Sequence, residues 1–127
     1  MRAEQKRMNE LAQQRLDELN QWVEAQNLAE FGFHFNGSHL IMQGSFDLGY
    51  YTTVEVRFEE VTYLSLPTRF AWPRFRMASE QERWRVGNMV SLDRGDLVFC
   101  VEAETTAGNE KLPFFLVARA IELKELR

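Results

Sequence analysis

One change of period divides this sequence and restricts what it can fold into. Between residues 3 and 27, Met8, Leu11, Ala12, Leu16, Leu19, Trp22 and Val23 recur at steps of three and four. That spacing predicts a single amphipathic helix, with Gln, Glu, Arg and Asn filling its solvated face. Neither Pro nor Gly interrupts it; Asn27 is the expected stop, with Gly32 shortly beyond. From residue 31 the period becomes two. Phe31, Phe33 and Phe35 alternate with Gly32 and His34, the pattern of a strand with one buried face. A helical run followed by strands at hairpin spacing predicts an α+β fold. The expected architecture is an N-terminal helix packed on a curved antiparallel sheet, or partly closed barrel, of six to seven strands.

The strands follow one another at short intervals. "NGS" at 36–38 reads as a reversal between "FGFHF" and "HLIMQGSFDL", the latter bent at Gly44. Next, Val54, Val56 and Phe58 face one way and Glu55, Arg57 and Glu59 the other. The Glu59–Glu60 pair breaks that phase and predicts a bulge or corner at 59–61. Pro67 and Pro73 flank "TRFAW"; neither suits a central strand, so an edge or a loop is expected there. Ser79 with Glu82 three residues later forms a capping-box pattern, compatible with a helical turn, a reversal or a strand. "LVFCVEAET" reads as a strand, "TAGNEKLP" at 106–113 as a hairpin connection, and "FFLVARAIELKEL" as the last strand. The strand-rich body thus runs from 31 to 123, and 127 residues make one domain by length.

Composition narrows the function classes. Ten of the sixteen aromatic residues are Phe, which suits a well-filled sheet core. Cys100 is the only cysteine, so an intramolecular disulfide is impossible, and its apolar surroundings predict a buried, inert thiol. No basic segment leads into an apolar one at the start, and no apolar run approaches the ~20 residues that cross a bilayer. A cytoplasmic location without membrane contact is expected. The net charge of −4 disfavours non-specific binding to a polyanion.

Sequence motifs for catalysis are absent. There is no G-x-G-x-x-G, P-loop, G-x-S-x-G or H-E-x-x-H pattern. His34 and His39 flank the 36–38 turn and could approach each other, but no third ligand has diagnostic spacing. The acidic groups at Glu59–Glu60 and Glu102–Glu104 alternate on strand faces and read as solvated. No enzyme activity, metal or cofactor is therefore expected.

The stretch 68–85, "TRFAWPRFRMASEQERWR", stands apart. Arg69, Arg74, Arg76, Arg83 and Arg85 outnumber Glu80 and Glu82 by three within an acidic chain. Arg, Trp and Phe are enriched interface anchors, so Arg69, Phe70, Trp72, Arg74, Arg76, Arg83, Trp84 and Arg85 form the candidate surface for an acidic protein partner. Two other readings stay open. Guanidinium groups with Trp72, Phe75 and Trp84 could hold single-stranded nucleic acid, although the acidic total disfavours this partner. A curved sheet rich in Phe under a helix lid could enclose a small apolar ligand. Within this stretch "RFR" and "RWR" are ordinary alternation. "FAWP" is not, because Phe70 and Trp72 stand in a proline-bounded segment. A homodimer through an edge strand beside Pro67 and Pro73 is also compatible with the pattern.

Phe33, His34 and Leu40, followed by Val56, Phe58, Val61 and Leu64, carry a family resemblance. They resemble the F-H-D-x-x-L and V-x-F-x-x-V-x-x-L patterns of small bacterial immunity-protein-like domains from contact-dependent toxin systems, with the Asp absent here. The resemblance implies a non-enzymatic bacterial protein that masks a toxin's active site. Its Arg-rich segment would then meet an acidic surface.

Overall fold

The computed structural model describes residues 2–105 and 110–126. Helix α1 spans Arg2–Ala25 and buries Ala12, Leu16, Leu19 and Val23. Leu11, at the flank of the apolar stripe, remains exposed. The chain leaves the helix through Asn27, whose φ of 52° is a left-handed conformation that Asn tolerates better than most residues. The Leu28 N–H then donates to the Val23 carbonyl, and Leu28 is fully buried.

Eight strands follow: β1 Glu30–Asn36, β2 His39–Ser45, β3 Val54–Glu59, β4 Tyr63–Leu64, β5 Arg69–Met77, β6 Leu97–Glu104, β7 Leu112–Ala118 and β8 Ala120–Glu125. They form one antiparallel sheet in the order β4-β7-β6-β5-β1-β2-β3-β8. The sheet is eight-stranded, against the expected six or seven, and it is not closed into a barrel. The extra strands arise at two corners. The run expected as one final strand divides at Arg119: β7 pairs with β4 and β6, whereas β8 pairs with β3 at the far end. The expected corner after Glu59 is real, with Glu60 at φ 52° leading into β4. Each connection carries the chain from one end of the sheet to the other within a few residues, so the sheet must curl strongly. The reversal at 36–38 is a two-residue turn with Gly37 at φ 68°, which glycine adopts without a steric cost. The 106–109 part of the expected hairpin connection lies outside the described residues.

The inner face of the curl packs on α1. Phe31, Phe58, Phe70, Phe75, Phe99, Met42, Leu116 and Ile121 form one cluster with Leu16 and Leu19. Polar groups of α1 also complete strand edges. β1 runs beside only Arg69–Ala71 of β5, which leaves the Phe75 backbone without a strand neighbour on that side. Asn20 takes the vacancy: its Nδ2 donates to the Phe75 carbonyl and its Oδ1 accepts from the Phe75 N–H, both at 2.8 Å. Arg15 Nη1 donates to the Ile121 carbonyl on β8 at 2.6 Å.

Helix α2, Glu80–Gly87, covers part of the outer face by packing Val86 on Val98 and Val117. Its start is a capping box. The Glu82 N–H donates to Ser79 Oγ, and the Ser79 N–H donates to Glu82 Oε1. The two helical turns resolve the alternatives left open for 79–86.

Candidate partner-binding site

The proline-bounded segment is neither edge nor loop. It lies in β5, between β1 and β6. Its irregularity is a bulge: Ala71 pairs with Glu104 and Arg74 with Glu102, so β5 spends three steps where β6 spends two. The bulge admits Pro73, which has no N–H to give the ladder. It also sets Trp72 at φ 47°, a left-handed conformation where such bulges normally carry glycine. The Trp72 N–H donates to the Ala29 carbonyl at 3.0 Å.

"FAWP" therefore divides. Phe70 is 4% exposed and stacks on Phe31 with ring centroids 5.7 Å apart; it is a core residue, not part of a docking surface. Pro73 is buried as well. Trp72 is 38% exposed and borders a cleft of about 190 Å³ with Val23, Glu24, Pro73, Arg74 and Lys111. Lys111 stands just before β7, and nothing in its local sequence singled it out.

The five arginines have different fates. Arg76 is committed within the protein: Nη1 and Nη2 donate to the two Glu82 oxygens at 2.7 and 2.9 Å, and Nε lies 3.5 Å from Glu102. The paired guanidinium holds the Glu82 carboxyl down to about 2, and Arg76 itself is raised further above its ordinary value. Arg83 donates to the Asp96 carbonyl. Arg69, Arg74 and Arg85 are exposed and form no ion pair among the described residues. Trp84 is 71% exposed on α2 and borders a separate cleft of about 450 Å³ with Glu80, Arg83, Asn88 and Leu92. The Trp72 and Trp84 clefts share no lining residue.

Other candidate chemistry is distributed without convergence. His34 is opposite Ile41, and His39 is opposite Asn36. His39 Nε2 lies 3.2 Å from Glu59 Oε1. Glu59 is lowered chiefly by a hydrogen bond with Glu122, which also raises Glu122. Among the described residues, no group of three or more His, Cys, Asp or Glu side chains is arranged to hold a metal ion. The Cys100 thiol is buried, and burial pushes it up to about 11. No helix among the described residues is long and apolar enough to cross a membrane.

Of the residues that carry the immunity-protein resemblance, Leu40, Val56, Phe58 and Val61 are buried. Phe33 and Leu64 pack against the same core, and His34 is exposed. Comparison of the chain with protein-family models, curated proteins and solved structures returns no match.

Proposed function

We propose that this protein is a non-catalytic protein-binding domain that docks an acidic partner through the Trp72 cleft, in the manner its immunity-protein resemblance implies. The observation that carries the proposal is Trp72 itself. A bulky residue in a left-handed conformation costs about 1–3 kcal/mol, and such strain clusters at binding sites. Here it turns an indole outward beside Arg74 and Lys111, neither of which forms an ion pair among the described residues. An aromatic anchor flanked by available cations suits an apolar residue within an acidic segment.

Two observations favour this reading over the alternatives. The space a small apolar ligand would need between helix and sheet is filled by Leu16, Leu19, Phe58 and Phe99. The tryptophans that would stack on successive bases border separate clefts. The proposal is tested by capture from native lysate with wild-type protein, Trp72→Ala and the Arg74→Glu/Lys111→Glu pair, followed by affinity measurement with the purified partner over a salt series. The expected result is an acidic partner whose affinity falls about tenfold or more in both variants and weakens with salt. Identical partner profiles and affinities would remove the idea.

A further inference from the structure

Another cleft, of about 290 Å³, lies at the β1–β5 ladder and shares no lining residue with the Trp72 cleft. Ala71 is the small residue in its lining. Ala71 stands between Glu30 on β1 and Glu104 on β6 in direct register, and Gly32 stands opposite Arg69. The β2–β3 loop folds back to make a wall. A Cβ on Gly32 would come within 3.3 Å of Leu48 Cδ2, so glycine is what lets Leu48 settle over the strand. The Leu48 N–H donates to Glu30 Oε1 at 2.7 Å, which fixes both the wall and one carboxylate. Phe31 and Phe70 complete the apolar lining. One guanidinium and two carboxylates thus surround an apolar hollow. Arg69 and Glu104 form no ion pair among the described residues, so these opposite charges are not spent on each other.

We infer that this cleft binds a free α-amino acid with an apolar side chain. Arg69 offers the planar fork that matches a carboxylate. Glu104 and the second oxygen of Glu30 offer acceptors to an ammonium group. Leu48 and Ala71 receive the side chain. The volume lies near the lower end of the ~300–1,000 Å³ range of small-molecule pockets, which suits one residue better than a longer peptide. This assignment does not rest on the docking proposal, and its test uses no protein partner.

The test is an amide chemical-shift titration of the full chain with L-leucine, L-phenylalanine, L-leucinamide and N-acetyl-L-leucine. At least one of the two free amino acids should give saturating shifts centred on Leu48 and Ala71. The amide lacks the carboxylate and the acetyl derivative lacks the ammonium, so each should bind about tenfold more weakly or worse. Arg69→Gln and Glu104→Gln, both changes to solvent-accessible side chains, should each weaken the free amino acid about tenfold. Arg85→Gln, on α2 outside the cleft, should leave it unchanged. No saturation with either amino acid, equal affinity for leucine and its two derivatives, or unchanged affinity in either cleft variant overturns the assignment.

Discussion

At the scale of single residues, Trp72 concentrates the tension between backbone and side chain. Its left-handed backbone suits glycine, yet its indole lines the candidate docking cleft. Replacing it separates the two effects. Trp72→Gly relieves about 1–3 kcal/mol of strain and costs about 1 kcal/mol in backbone entropy, so stability by urea unfolding should lie between unchanged and about 2 kcal/mol higher. Trp72→Val keeps a side chain, now β-branched, at the same φ and should lose about 2 kcal/mol. Equal losses in both variants would show that contacts of the ring, not the backbone, set the stability at this position. Pro73 pointed to irregularity in the sequence; it could not show that a bulge, rather than a sheet edge, supplies it.

At the scale of elements, α2 shows what local sequence can and cannot announce. The Ser79–Glu82 spacing allowed a helical turn, a reversal or a strand, and the capping box forms at the head of a helix. The spacing held no sign that Glu82 also receives a two-pronged contact from Arg76 on β5, because that partner is set by how the strand enters the helix. The contact has a pH signature. Glu82 titrates near about 2 in the folded protein, below the ~4.3 of an unfolded glutamate. Its stabilisation is therefore full above the unfolded value and drains away as pH falls toward the folded one. Wild type should lose stability relative to Glu82→Gln as pH is lowered from about 5 to about 2. Chemical unfolding at a series of pH values reads this directly; parallel curves would mean that the pair contributes nothing through ionisation. At neutral pH the Gln variant should be less stable by about 2 kcal/mol, the scale of a charge-assisted hydrogen bond.

At the scale of the whole molecule, α1 is part of the sheet's own completion. It fills the inner face with Leu16 and Leu19, and it satisfies backbone groups on β5 and β8 through Asn20 and Arg15. Leu16→Ala should therefore lower stability by about 3 kcal/mol, the usual cost of truncating a buried leucine. Helix and sheet signals should be lost in one transition. A separate, earlier loss of helicity would mark α1 as an appendage.

The sequence by itself determined the helix, the alternating strands, the hairpin at 36–38 and the corner after Glu59. Each is a local matter of which side chains can share a buried face at a given backbone period. Tertiary structure decided which strands became neighbours, that one apparent strand would divide at Arg119, and that Pro73 would sit inside the sheet. It also sorted the arginine-rich segment into a core ring at Phe70, internal partners for Arg76 and Arg83, and accessible cations at Arg69, Arg74 and Arg85. That sorting depends on Glu102 and Asp96, which reach β5 and α2 only when β6 pairs across the sheet. Contacts set by cross-strand register leave no periodic trace along the chain, so only the folded arrangement reveals them.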